Sequence, residues 1–380
     1  MYSASEDFHT AVKNGAHQIA LLIFDDAVFT NDDIDVSNGI TFNDYFNADE
    51  DLNIGQALSN EISFTLFNDQ GLLNDYEFGD FLATIGAQIG NDTVTAQGIL
   101  QAHSGSHSYV AYNTSPYLRR DGISLASQPR AKVKSILIYD GWVYCLLEDG
   151  TTKIYEDSNG FVVEYSLNDF MLNQMARWEG KGISYDKNTR ILKIWKGTNR
   201  RTYEFVPLGY FTAERPNVPT TISIDFTCYD FMQKFEKDMP GKDDLAVSYP
   251  LTIKTLFTAM CDYASVDYRN DEFINEDAVI ASEPEDFSSV TMREVIQWIA
   301  ELAGSNARFD RDGYIKMDWV RETEQELDET DYSEFDPYWY ETKNVTKLYN
   351  RASNGDYEYT VGEGEEGYLI QDNPLLKGVN

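Results

Sequence analysis

Cysteine is scarce in this sequence. Cys145, Cys228 and Cys261 are odd in number and far apart, which argues against a disulfide framework and against a zinc cluster and leaves three buried thiols as the expectation. Long apolar runs are missing too. No stretch approaches the roughly 18 residues of a membrane span, and the opening MYSASEDFHTAVKNGAHQ has neither the basic end nor the apolar centre of a secretory signal. A soluble protein with no membrane span, made in the cytosol, is expected. Positive charge is in short supply: 30 Lys and Arg stand against 64 Asp and Glu, for a net charge of −34. Duplex DNA is bound by neutralising its phosphates, so this chain is expected to repel nucleic acid rather than hold it. The sequence also lacks G-x-S-x-G, a Gly-rich phosphate loop, and a Cys with a recognisable His partner, so neither hydrolase nor nucleotide chemistry has a motif to rest on.

Aromatic residues, by contrast, are abundant. Twenty-five Tyr and 21 Phe, with repeated Asn-Gly and Asp-Gly steps, point to β-rich structure. Residues 19–24 (IALLIF) read as a continuous apolar strand. Glu61 to Phe67 alternates with Ile62, Phe64 and Leu66 on one face, and Tyr76 to Ile89 reads as short strands and turns. From about residue 99 a ladder of hairpins begins: 133–139, 142–147, 151–155 and 161–165, followed after a short helix near 168–176 by 190–195 and 201–206. That ladder also differs in charge. From Ser115 to Arg201 there are 14 Lys or Arg and 10 Asp or Glu, a local +4 that leaves −38 on the rest of the chain. Such a shift marks an inserted antiparallel β domain, expected to have its own core. The strand TISIDFT (221–227) then returns to the first β region, and Asp230 can cap a helix.

The most regular stretch is Thr291 to Val320. Thr291 and Glu294 fit a capping box, and Met292, Val295, Ile296, Ile299, Leu302 and Ala303 share one helical face. Gly304 supplies the stop, and the turn Asp310-Arg311-Asp312-Gly313 joins two short strands. The same helix occurs 39 residues earlier: Thr252 to Ser265 aligns on Thr291 to Gly304 without a gap, with Ile253, Leu256, Phe257, Met260, Tyr263 and Ala264 at the same six offsets.

Chemical constellations are weak. His103 and His107 have helical metal spacing, but HSGSH reads as a loop. Asp33, Asp35 and Ser37 begin like a calcium loop, yet Asn38 stands where Gly is required and Asp44 where Glu is expected. Close acidic pairs arise by chance among 64 carboxylates. No catalytic, cofactor or metal residue is therefore assigned, and no cofactor is expected. Trp142, Trp178 and Trp195 of the insert are candidate glycan contacts, because indoles stack on sugar rings.

The unit Val290 to Trp319, the segments ISIDFTCYDFMQKFEKD and YPLTIKTLFTAMCDYA, and the closing Asn373-Pro374-Leu375-Leu376 together resemble the tail hub proteins of tailed bacteriophages. R-type bacteriocins and related contractile injection particles use similar hubs. The resemblance covers 19–98 and 203–380; residues 99–202 match nothing recognisable. It implies a mainly β (α+β) chain organised as an N-terminal arm (1–18), a first β-barrel interrupted by the insert (19–98 and 203–230, around 99–202), a helical section (231–304) and a second β-barrel (305–380). It further implies a non-enzymatic homotrimer in a virion tail or baseplate, assembled in the host cytoplasm. Its pseudo-six-fold ring would join the tail tube or distal tail protein to a spike or tip protein and let DNA pass without specific binding. Chains of that family continue beyond the NPLL-like segment, whereas this sequence ends at Asn380. The alternative reading is a carbohydrate-binding or carbohydrate-cleaving tail-tip protein acting through the insert.

Overall fold

The computed structural model describes residues 4–24, 28–35, 37–45, 54–68, 71, 73–93, 100–104, 107–112, 118–125, 128–129, 131–139, 141–149, 151–157, 162–163, 181–186, 188–196, 198–214, 222–269, 271–284, 287, 289–318, 347–352, 355–360, 367–371 and 373–376. The chain divides into two compact units, Met1–Gly39 with Phe64–Leu208 and Arg215–Asp225, and Ile40–Ser63 with Gly209–Glu214 and Phe226–Asn380.

In the first unit, strand Gln18–Phe24 lies between Val28–Thr30 and the 14-residue strand Asp80–Thr93, both antiparallel to it. The long strand replaces the short strands and turns expected from Tyr76 to Ile89. A Cβ on Gly86 would lie 2.5 Å from the Phe205 ring, so this glycine serves a close approach, not a turn.

The hairpin ladder forms as the turn spacing predicts. Val133–Tyr139, Trp142–Leu147, Thr152–Glu156 and Val162–Val163 pair antiparallel in sequence order. Gly182–Asp186 then returns parallel to Val133–Tyr139 and is followed by Ile191–Lys196 and the start of Asn199–Thr212. The helix expected near 168–176 lies outside the described residues. A second sheet holds Leu100–Ser104, His107–Ala111, Leu118–Arg120 and Ile123–Ser124.

Period-two alternation gives the ladder two apolar faces. Ile136, Ile138, Val143 and Cys145 pack with Ala102, Tyr109 and Leu118 of the four-stranded sheet. Leu137, Leu146, Ile183 and Leu192 pack with Leu21 and Ile23 of the opening strand. The ladder is thus a middle layer, and the insert shares one of its two cores with the opening strand.

The second unit carries the helices Ile253–Ala264 and Met292–Leu302, the 3₁₀ turn Phe231–Phe235, and the hairpin Asn306–Phe309 with Ile315–Asp318. All of them contribute to one core. Further on, Lys347–Ala352 pairs antiparallel with Gly355–Thr360 and parallel with Gly367–Gln371. The fold is therefore mainly β with few helices. Among the described residues no sheet closes on itself, so the two barrels expected from the resemblance are not seen as closed sheets. The described strands leave open edges, and closure needs every edge to find a partner. No described helix is long and apolar enough to cross a membrane.

The tightest approach between layers is at Gly182, where a Cβ would lie 1.8 Å from the backbone oxygen of Gln101. Gly182→Ala must push two backbones apart. It is expected to cost about 3 kcal/mol or more, read as a lowered denaturation midpoint. Gly79→Ala, whose Cβ meets nothing within 4 Å, should stay within about 0.5 kcal/mol of the parent.

Candidate functional site

The chemistry-bearing residues singled out in the sequence do not converge. His103 and His107 sit in one hairpin, paired with Ser108 and Ser104 respectively, and strand alternation sends their rings to opposite faces. His103 lies against the Trp195 ring at 5.3 Å, and burial lowers its pKa. His107 meets the Asp121 carboxylate at 2.8 Å and an Arg120 nitrogen at 2.7 Å. Among the described residues no group of three or more His, Cys, Asp or Glu could hold a metal ion. Asp33 accepts from the Thr30 amide and hydroxyl, and Asp35 accepts from the Ser37 amide and hydroxyl. Both acids thus cap their own turn. Of the three indoles, Trp195 is 2% exposed within the insert core, Trp142 is half-buried, and Trp178 lies outside the described residues. Burial also pushes the thiols up, Cys228 to about 12. All three cysteines are free and buried, as expected.

What does converge is the set of segments carrying the hub resemblance. Thr291 caps its helix by accepting from the Glu294 amide at 3.2 Å, while the Glu294 carboxylate accepts the Thr291 amide at 2.7 Å. Thr252 caps the earlier helix by accepting from the Thr255 amide at 3.1 Å. Both helices end on a left-handed residue, Ser265 at φ 54° and Gly304 at φ 58°. The Ser265 and Val266 amides donate to the Asp262 and Cys261 carbonyls, and the Gly304 and Ser305 amides donate to Glu301 and Ala300 in the same pattern. Three residues past each stop, Tyr268 and Ala307 enter parallel bridges. The matched sequences are thus matched in cap, helix, stop and exit. One offset breaks the match: Tyr263 is 48% exposed where Leu302 is 1%.

Residues 54–60 are built into the second module. The Gly55 and Leu58 amides donate to the Ser305 and Ala307 carbonyls, and the Ala307 amide donates to the Gln56 carbonyl, each at 2.8 Å. Asn306, which hairpin alternation places opposite the apolar face, is fully buried because its side-chain oxygen accepts the Gln56 amide at 3.0 Å. Arg293 donates to the Ala57 carbonyl from two nitrogens and pairs with Glu236. The Asp230 carboxylate, 2% exposed, accepts from the Asn60 amide (2.8 Å), the Ser59 hydroxyl (3.0 Å) and the Met232 amide (3.0 Å). Burial nevertheless raises its pKa to about 6, the hydrogen bonds opposing the rise.

The NPLL segment docks on the same helix. The Asn373 amide donates to the Trp298 carbonyl and the Glu301 carboxylate, both at 2.9 Å, and its oxygen accepts the Leu375 amide. Leu375 is buried in the helix core. At the hairpin turn, Arg269 joins Asp310 (2.8 Å) and Asp312 (3.0 Å), and Asp310 also accepts the Asp312 and Tyr314 amides. This arrangement uses its polar groups to hold backbone, which is scaffold chemistry; sequence reasoning missed Ser59, Asn60, Arg293 and Arg269, because each acts on a partner far away in the chain.

Comparison with known proteins adds little. No protein-family model matches the chain, and no curated protein sequence matches it. Among solved structures, it is similar to a 43 kDa tail protein of prophage MuSo2 from Shewanella oneidensis, with 10% identity and a TM-score of 0.34, covering 95% of this chain and 76% of that one.

Two outcomes follow from the geometry. Ile296 and Ile299 are fully buried, so Ile296→Ala or Ile299→Ala should each cost about 2 to 5 kcal/mol. Asp312→Asn, at a solvated ion pair, should cost about 1 kcal/mol or less. The second outcome concerns pH. The folded pKa of Asp230, about 6, lies above its ordinary 3.8. Its contribution to stability is therefore complete below about 3.8 and is lost as pH rises through about 6. Between pH 5 and 7 the denaturant midpoint should fall more steeply in the parent than in Asp230→Asn. Equal slopes in the two proteins would reject the assignment.

Proposed function

We propose that this chain is a structural hub of a phage tail or a related tail-like particle. In this reading it forms a homotrimeric, pseudo-six-fold ring that joins the tail tube or distal tail protein to the spike or tip and performs no catalysis. The observation that carries the reading is the joint packing of the segments resembling that family. The capped helix Met292–Leu302, its left-handed stop, the hairpin after it and Asn373–Leu376 meet in one core, although the NPLL segment lies far along the chain from the hairpin. The second module, with the same cap, stop and exit, supports a duplicated design of the kind a pseudo-six-fold ring requires of three subunits. Open sheet edges fit a role in which strands pair between subunits.

The charge balance supports the same reading. Three copies at −34 each make a strongly anionic particle, and like-charge repulsion keeps a passing DNA strand from adhering to acidic walls. Screening limits each charge to about 8 Å at physiological salt, so the wall residues set this effect.

Mass photometry of the full chain should give a trimer of the 43.3 kDa subunit. A reconstruction of that trimer should show an acidic pore with the basic insert outside it. A stable monomer, dimer or tetramer at micromolar concentration would sink the proposal, as would a pore lined by Lys and Arg.

A further inference from the structure

Between the opening strands and the ladder of the first unit lies a cavity of about 280 Å³. Ile19, Leu21 and Ile23 line one side, and Leu137, Ile183 and Leu192 line the other. These are the residues that strand alternation turns toward the shared core. The cavity also touches four ionisable side chains, His17, Asp32, Lys181 and Arg201. His17 has a partner in the Tyr203 hydroxyl at 3.5 Å, and Asp32 interacts within the protein. Lys181 and Arg201 have no side-chain hydrogen bond or ion pair among the described residues.

Both cations lack a side-chain partner among the described residues, although the chain is rich in acids. Acids outnumber bases by more than two to one, and Lys254, Arg269, Arg293, Arg311 and Lys316 each meet a carboxylate. Cations with no partner among the described residues, beside an apolar cavity, provide for an anion whose carbon body fills the space. Asp32 in the same lining offsets one of the two positive charges, which favours a monoanion over a phosphate dianion. A guanidinium fork matches a carboxylate. The volume is about nine times the ~30 Å³ share of one water, room for a chain of about eight to ten carbons.

We propose that this cavity binds a medium-chain fatty acid, with its carboxylate between Lys181 and Arg201 and its hydrocarbon between the opening strand and the ladder. The site is independent of the hub reading, because every residue named lies within one unit of one chain.

The test is calorimetric titration of the full chain with sodium decanoate below its micelle concentration, with decylammonium as the head-group control. Saturable binding with one site per chain is expected for decanoate, and at least tenfold weaker binding for decylammonium. Lys181→Gln with Arg201→Gln should weaken decanoate binding at least tenfold with an unchanged unfolding curve. Ile183→Phe, which fills the cavity, should abolish binding; if that variant does not fold, the charge variant still decides. Non-saturable binding of decanoate, equal affinity for the two head groups, or a double variant that binds like the parent would each overturn the proposal.

Discussion

Residues 54–60 form neither a helix nor a regular strand, so their buried backbone groups must find partners elsewhere. The second unit is arranged around that need. Gly55, Gln56 and Leu58 are paired by residues 305–307, the Ala57 carbonyl by Arg293, and Asn60 by Asp230 through both its amide and its carbonyl. These partners sit on the exit of one helix, on the first turn of the same helix and at the end of strand Ser223–Asp230. A one-residue slip of 54–60 would misplace all of them at once. Asp230 is the costliest member, because its carboxylate is held in a site that disfavours charge. It is tolerated because three donors point at it.

What the sequence makes legible is whatever a local rule governs. The helix at 291–304 can be read from its Thr cap, its 3.6-residue period and its glycine stop, all within fourteen residues, and the earlier helix follows by the same rules even though Ser265 replaces the glycine. The hairpin ladder is legible from turn spacing. Asp230 is legible as a cap, but its tie to Ser59 and Asn60 spans about 170 residues and leaves no local mark. Gly86 looks like a turn residue, yet it and Gly182 each mark a place where another layer comes close. Trp195 shows the same limit: alternation places it opposite Leu192 and Ile194, but only the four-stranded sheet decides that its face is covered. The shared core of the insert has the same cause, since a strand apolar on both faces does not say what covers either one.

Charge is distributed in two ways. In the second unit the bases of the hairpin are neutralised in place: Arg308 and Arg311 face Asp44, Lys316 faces Asp318, and Arg269 bridges the two turn acids. From sequence alone Asp310 and Asp312 look interchangeable. In the structure Asp310 holds the turn amides as well as Arg269, whereas Asp312 makes its ion pair at a more solvated position, so only the first is structural in the strict sense. The excess of acids over bases acts through the summed field more than through any one pair.

The two helix modules bear on why the chain folds this way at all. A helix of eleven or twelve residues is marginal alone, so each needs an apolar neighbour to persist. Each is tied at its start by backbone bonds to a preceding or following segment: Met239 and Met292 donate to Val290 and Lys237, and Ile253 and Lys254 donate to Ala278 and Glu276. Each exits into a parallel bridge on the small sheet around the hairpin, Ala307 against Ala57 and Tyr268 against Ile315. The hairpin is therefore flanked by one bridging segment on each side, and the helices bury their faces in the same core. The place where the match fails is informative. Tyr263 is exposed although Cys261 is buried on its helix as Ala300 is on the other; Leu302 is buried in the core that Leu375 also enters, with Asn373 bonded to the same helix at Trp298 and Glu301. Among the described residues, the difference between the modules is thus the arrival of a chain segment at one helix and not at the other. That asymmetry lets two copies of one local plan occupy unlike positions in a single core.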